Sequence, residues 1–202
     1  MAVFVCMRKV GIYGGTFNPI HNGHLQIVND FINDCNLDIC FVVPNFISPF
    51  KTEEIKSISD EDRIQLIELA IQNISKLEIE LFELNKKGIS KTLDTINYFR
   101  QKFPDDELFL LVGSDTALEF HKWYKWKEIV NLVTIVIALR KNESKDFEFT
   151  KACKNCKVIL LQNELIEISS SEIRELILLG ENISSLVPAK TYIYIINNNL
   201  YK

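Results

Sequence analysis

The amino-acid sequence predicts an α/β fold, a doubly wound parallel sheet with helices on both faces. Two observations carry this. Short, near-continuous runs of Val, Ile and Leu recur along the chain, as strands covered on both faces require. Between them lie longer segments with apolar residues at helical spacing, the alternation that builds parallel sheets through crossover helices. The size and composition agree. The chain has 202 residues, 47% hydrophobic and 25% charged, with 7 Gly and 5 Pro. That composition excludes collagen-like, coiled-coil and wholly disordered chains, and the length predicts one domain over residues 1–202.

Residues 10–13 are a short apolar strand that breaks at Gly14-Gly15. Leu25, Val28, Ile32 and Cys35 recur at helical spacing. Residues 39–43 form a second buried strand, ended by Pro44-Asn45. Ser59 followed by Asp60, Glu61 and Asp62 reads as a capped helix start with acids at the positive end of the dipole, and Ile64, Ile67, Ile71 and Ile74 follow on one face. Residues 77–84 alternate apolar positions with Glu78, Glu80 and Glu83, as a half-exposed strand would. Leu93, Ile96, Phe99 and Phe103 predict another helix. Residues 108–112, 132–139 and 158–161 predict three more buried strands. Residues 141–155, polar and charged, read as a surface loop. Residues 171–179 predict a helix stopped by Gly180, and Pro188 suits the first turn of a last helix over 189–199. The whole is a Rossmann-like arrangement, in which ligands sit outside the carboxyl ends of the strands.

Charge and cysteines narrow the class. With Lys+Arg 23 against Asp+Glu 27 and a net charge of -4, the basic footprint of a nucleic-acid binder is absent, although net charge does not exclude a local anion site. No apolar run reaches the ~18 residues that span a bilayer, and residues 1–7 lack the basic start and cleavage site of a secretory signal. Five cysteines without framework spacing predict reduced thiols and a cytoplasmic setting. The pair Cys153 and Cys156 has no second pair and no nearby His, so neither a zinc site nor a redox motif is expected.

The first loop runs Gly14-Gly15-Thr16-Phe17-Asn18-Pro19-Ile20-His21-Asn22-Gly23-His24. It has neither a G-x-G-x-x-G dinucleotide fingerprint nor the G-K-[ST] of a P-loop. It has two of the chain's three histidines, three apart at a helix start, where both imidazoles share one face. They join free backbone N–H groups and the positive end of the dipole, and the glycines let a phosphate approach the main chain. A single histidine here would read as a turn or interior residue; the pair beside Gly-Gly reads as an anion site.

This segment resembles the signature of the nucleotidyltransferase superfamily, a Gly-Thr-Phe loop followed by H-x-G-H. Within it, the segment resembles the bacterial-type nicotinate mononucleotide adenylyltransferases, although phosphopantetheine adenylyltransferases begin very similarly. Asn18 stands where the family often has Asp. The resemblance gives Gly14, Gly15, Thr16 and Phe17 to ATP and its phosphates. Residues 44–51, Pro-Asn-Phe-Ile-Ser-Pro-Phe-Lys, resemble the family's P-N-x-x-P-P-H-K loop; Lys51 would meet a substrate phosphate, and Phe50 replaces a histidine. Residues 90–95, Ser-Lys-Thr-Leu-Asp-Thr, resemble its [ST]-Y-T-[FY]-D-T turn, which gives Thr92 and Asp94 to the mononucleotide; the alternative for each is a plain helix cap. Val112-Gly113-Ser114-Asp115 resembles G-[AS]-D, with Gly113 and Asp115 at the nucleotide. Trp123-Tyr124-Lys125-Trp126 resembles W-x-x-[LW], with Trp123 stacked on the pyridine ring, Tyr124 beside it and Trp126 in packing. Residues 168–174, Ile-Ser-Ser-Ser-Glu-Ile-Arg, resemble I-S-S-T-x-I-R, which gives Ser169 and Ser170 to phosphate and Arg174 to the triphosphate.

What the resemblance implies is transfer of AMP from ATP to nicotinate mononucleotide, giving deamido-NAD and pyrophosphate in NAD biosynthesis. Mg²⁺ would be carried with ATP and no protein metal cage is expected. The partners implied are these small molecules, with no nucleic acid and no membrane; self-association stays open. Two alternatives remain at this level: another adenylyl- or cytidylyltransferase of the superfamily, such as one acting on phosphopantetheine, and a non-catalytic nucleotide sensor. Trp123 and the Thr92 turn weigh against the first, and the intact His21, His24 and Arg174 against the second.

Overall fold

The computed structural model describes residues 7–47, 58–139, 147–153, 156–163 and 168–202. In chain order the elements are β1 (Lys9–Gly15), α1 (Asn22–Asp34), β2 (Ile39–Pro44), α2 (Asp60–Ile71), β3 (Leu77–Ile79), α3 (Phe82–Lys86), α4 (Thr92–Lys102), β4 (Glu107–Gly113), α5 (Ser114–Leu118), a 3-10 turn (Phe120–Lys122), α6 (Trp126–Leu132), β5 (Thr134–Ala138), α7 (Glu148–Ala152), β6 (Val158–Leu160), α8 (Ser170–Leu178) and α9 (Ala189–Asn197). The strands form one sheet in the order β3-β2-β1-β4-β5-β6, and every pair in it is parallel. The order reverses between β1 and β4. Their carboxyl ends, Gly14-Gly15 and Gly113, therefore diverge into the crevice where α/β sheets take ligands.

Alternation along the central strands makes two cores. Phe109 and Leu111 of β4 face one side with Phe31, Leu66, Ile67, Ile173 and Ile195 of α1, α2, α8 and α9. Leu108, Leu110 and Val112 face the other with Ile96, Phe99, Ile129 and Phe149 of α4, α6 and α7. Gly11 is a packing glycine: a Cβ there would meet Leu37 at 2.5 Å and Phe31 at 2.9 Å, so its absence lets α1 lie close on β1. Ser59 caps α2 as its sequence predicts, accepting from the Asp62 N–H at 3.0 Å.

Five expectations are corrected. Residues 77–84 are not one strand: only Leu77–Ile79 find partners on β2, after which Phe82 stacks on Tyr98 at 4.3 Å and the chain winds into α3. Residues 132–139 divide, with Leu132 ending α6 and the strand beginning at Thr134. The strand at 158–161 is not buried: β6 has β5 on one side only, and Ile159 and Leu160 are 36% and 43% exposed. The 141–155 loop holds α7, whose Phe149 is fully buried and packs on Phe120 at 4.7 Å; the surrounding charges hid two core phenylalanines. At the chain's end Pro188 caps α9 rather than entering its first turn, and the helix stops at Asn197. Among the described residues, no helix is long and apolar enough to cross a membrane.

Candidate active site

The loop after β1 is built around a strained phenylalanine. Phe17 adopts φ 49°, the left-handed region, which costs a non-glycine residue roughly 1–2 kcal/mol. Its ring is 2% exposed and meets Tyr13 edge-on at 5.2 Å and His24 at 5.1 Å. A Cβ on Gly15 would press into that ring at 2.8 Å, whereas one on Gly14 would meet nothing within 4 Å. The main chain at Gly14 thus faces open space at the crevice.

Two histidines start α1 in place of the usual Ser or Asp. The His24 N–H donates to Nδ1 of His21 at 3.4 Å, and the His21 N–H donates to Nδ1 of His24 at 3.3 Å. This is a capping box, with the two rings stacked at 3.6 Å. Because each Nδ1 accepts, the neutral ring carries its proton on Nε2, the nitrogen turned from the helix backbone. His21 is buried and His24 half-buried. The capping role and the anion role are therefore compatible.

Remote residues hold the loop by its carbonyls. Arg63 of α2, 5% exposed, donates to the Thr16 carbonyl at 3.1 Å, to Asn45 Oδ1 at 3.4 Å and to Asp60 at 2.9 Å. Arg174 of α8 donates to the Asn18 carbonyl at 2.7 Å and to Ser171 Oγ at 3.2 Å. Ser170 donates to the Pro19 carbonyl at 2.9 Å, while Ser169 caps α8 by accepting from the Glu172 N–H. The Tyr201 hydroxyl donates to Asn18 Oδ1 at 2.8 Å, and burial pushes that phenol's pKa up. The 168–174 segment is thus placed behind the loop, where Arg174 uses two of its five donors on protein.

Two hollows share the Gly14-Gly15 wall. One, about 200 Å³, is lined by Thr16, Glu83, Thr92, Thr95, Gly113 and Trp123 among others. The other, about 150 Å³, takes Phe17, His24 and Thr116 with the same glycines. Thr92 is the first residue of α4, and Lys91 before it supplies no side-chain cap, so Thr92 is not the cap. Trp123 follows the 3-10 turn and packs on Phe120 at 4.7 Å. Trp126 is partly buried against the core.

Other expected residues stand elsewhere. Asp94 pairs with Lys86 and lines a separate small hollow. Asp115 is exposed and accepts from the Thr116 N–H at 2.8 Å. Tyr124 is 53% exposed with Lys91 Nζ 4.6 Å above its ring. Lys51 and Phe50 lie outside the described residues. Of the C-x-x-C pair, Cys156 donates to the Cys153 carbonyl at 3.0 Å and burial pushes its thiol up, away from reactive thiolate.

Sequence reasoning missed three site residues. Arg63 had a signal: it sits at the head of the buried stripe Leu66, Ile67, Ala70 and Ile71, where an arginine needs partners. Glu83 was read onto the wet face of a strand, yet it is 9% exposed and lines the larger hollow. Burial raises its pKa, against the lowering effect of hydrogen bonds from Ser90 and Thr95 and of nearby Lys86. Tyr201 carried no signal, since nothing near it in sequence points to Asn18.

The sequence profile of the cytidylyltransferase-like family matches residues 12–176. A nicotinate-nucleotide adenylyltransferase of Bacillus subtilis is 33% identical, over 97% of this chain and 100% of that protein. Two solved structures of the Plasmodium falciparum nicotinic acid mononucleotide adenylyltransferase have the same fold. The complex with APC superposes with a TM-score of 0.76 at 25% identity and the complex with NaAD with 0.77 at 24%, each over 96% of this chain and 97% of that one.

Proposed function

The chain belongs to the cytidylyltransferase-like family and, within it, to the nicotinate-nucleotide adenylyltransferases, and from that premise we propose that it transfers AMP from ATP to nicotinate mononucleotide, releasing pyrophosphate and forming deamido-NAD. The observation that supports this most directly is the pair of hollows joined at Gly14-Gly15, one with His24 and the other with Thr92 and Trp123. Two nucleotides seated there would meet at the glycines, where the backbone allows a phosphate close.

The acceptor's phosphate is already ionised at pH 7, and pyrophosphate is a good leaving group. Neither a general base nor a nucleophilic side chain is then needed, and catalysis is alignment plus stabilisation of charge spreading over the phosphates. Nε2–H of His21 and His24 and the N-terminus of α1 would supply donors to the triphosphate. Arg174 would hold the loop through Asn18 and turn its remaining N–H groups to phosphate; Ser169 and Ser170 would act with it, as placing rather than binding groups. Lys51 enters on its sequence motif alone. On the acceptor side the uncapped first turn of α4 with Thr92 would receive the pyridine carboxylate, and the Trp123 indole the pyridinium ring. Asp115 would meet a ribose only after turning from Thr116, and Asp94 and Tyr124 would act from outside the hollow.

The donor set around the loop is N–H and hydroxyl, which suits phosphate oxygens rather than a bare cation. Mg²⁺ fits here as part of the substrate Mg-ATP, held by phosphate and water. Free cysteines at Cys35, Cys40, Cys153 and Cys156 favour a reducing, cytoplasmic setting. The test is pyrophosphate release from Mg-ATP with nicotinate mononucleotide, nicotinamide mononucleotide and phosphopantetheine offered separately. The first should turn over fastest. Turnover with phosphopantetheine alone, or with none, would overturn the reading.

A further inference from the structure

We infer that Glu83 is a positioning residue for the acceptor side of the cleft: its carboxylate ties the hydroxyls of Thr95 and Ser90 together and so fixes the turn that carries Thr92 against the 45–47 loop. The inference rests on the proposed acceptor for its kinetic readout, but its geometry does not.

Glu83 stands in α3, 9% exposed, and lines the larger hollow with Thr92, Thr95 and Ser90. Thr95, itself 2% exposed, donates its hydroxyl proton to Glu83 Oε1. Ser90 stands close enough to the carboxylate for its hydroxyl to lower the carboxyl's pKa. The Ser90 oxygen accepts from the Phe46 N–H at 3.0 Å, which leaves its single proton available to Glu83. The Ser90 N–H donates in turn to the Ile47 carbonyl at 2.9 Å, and Ile47 bridges Ile89. One carboxylate thus orders three separate stretches: α3, the start of α4, and the loop after β2 that leads toward Lys51.

With the Thr95 hydroxyl proton turned to Glu83 and the Asp94 N–H spent on the Lys91 carbonyl at 2.9 Å, the donors the wall offers a ligand are the first two N–H groups of α4 and the Thr92 hydroxyl. The groups facing Glu83 are Lys86 on its own helix, Asp94 and Thr95 on α4, and Ser90 on the turn between them. Burial disfavours its charge. A neutral residue of the same shape would serve stability as well or better. What the charge supplies is direction, because an ionised carboxylate is an acceptor only and sets which way two hydroxyls point.

The experiment uses Glu83→Gln, Thr95→Val and Thr95→Ser in the full chain. Glu83→Gln should raise KM for nicotinate mononucleotide at least tenfold, leave KM for ATP within twofold, and melt at pH 8 no lower than the parent. Thr95→Val should shift the same KM in the same direction. Combined with Glu83→Gln it should add little, and Thr95→Ser should keep the parent value. An unchanged acceptor KM in Glu83→Gln overturns the inference. So does a parallel rise of both KM values with a lower melting temperature, the mark of a residue that only holds the fold. If the parent itself transfers AMP to no mononucleotide, the proposed function fails separately. Amide exchange then decides the inference: faster exchange at Phe46 and the first turn of α4 in Glu83→Gln supports it, and unchanged exchange overturns it.

Discussion

The two hollows on either side of Gly14-Gly15 are built in opposite ways. The histidine side is held from a distance. Arg63 reaches Thr16 across 47 positions, Arg174 reaches Asn18 across 156, and Tyr201 reaches Asn18 across 183. Three of the loop's anchored groups are main-chain carbonyls, of Thr16, Asn18 and Pro19. The Thr92 side is mostly local: Glu83, Ser90 and Thr95 lie within thirteen consecutive residues, with the Thr95 hydroxyl bonded to the Glu83 carboxylate and Ser90 close beside it. The difference teaches a division of labour. Phosphate chemistry is common to all nucleotides and is fixed through backbone, braced by the rest of the fold. If the Thr92 side takes the acceptor, as proposed, the acceptor's identity would be read by a compact module that substitution can alter without disturbing the sheet.

The sharpest way to break that comparison is on the histidine side. His24→Ala should reduce turnover by about a hundred- to a thousandfold, because it removes an N–H donor to charge that develops during transfer, with little change in ATP affinity. Steady-state kinetics check this, and turnover within twofold of the parent would return the ring to a mere cap. Next, Arg63→Met should cost about 3 kcal/mol of stability in urea denaturation, since Asp60 and the Thr16 carbonyl lose a buried charged donor. A loss under about 0.5 kcal/mol, the range of an ordinary surface change, would show that the loop needs no distant brace.

On the Thr92 side the effects are smaller. The ratio of kcat/KM for nicotinate against nicotinamide mononucleotide should be about ten- to a hundredfold, the cost of turning an amide NH₂ against donors. Among the described residues, Asp94 is drawn off by Lys86 and Glu83 accepts from the Thr95 hydroxyl, so neither of these two carboxylates is placed to receive that NH₂. A ratio near one would sink the carboxylate site. The smallest effect is a pH dependence. The folded-state pKa of Glu83 is raised by burial, so the folded protein holds that proton more tightly than the unfolded chain. Its contribution favours folding below the ordinary carboxyl range and is lost as pH rises through the raised value. Parent stability minus that of Glu83→Gln should therefore fall with rising pH above about 4.3, the unperturbed Glu value, and a flat difference in chemical denaturation would contradict it.

What the sequence disclosed follows the same division. β1, β2 and β4 were legible because both of their faces are buried, which writes an unbroken apolar run. β3 and β6 sit at the two edges. There pairing stops after three residues and apolar side chains reach water, so the pattern overstated them. The Gly-Gly and histidine loop was legible because its chemistry is contiguous. Arg63 and Tyr201 were not, since each acts on a partner far along the chain, and local spacing carries no trace of a hydrogen bond closed by the fold. Glu83 was misplaced because period-two alternation, real for Leu77 to Ile79, was carried past the point where the strand ends.

The bond from Tyr201 to Asn18 has a consequence for the order in which the protein is made. A ribosome emits the glycine-histidine loop first and its last brace some 180 residues later, roughly 10–35 s of synthesis at ordinary rates. Through that interval the sheet's inner strands can pair while the loop has neither Arg174 nor Tyr201 behind it. Nascent chains that have not yet emitted Tyr201 would then carry the Gly-Gly and histidine segment on a slack loop, which would tighten only once Tyr201 reaches Asn18.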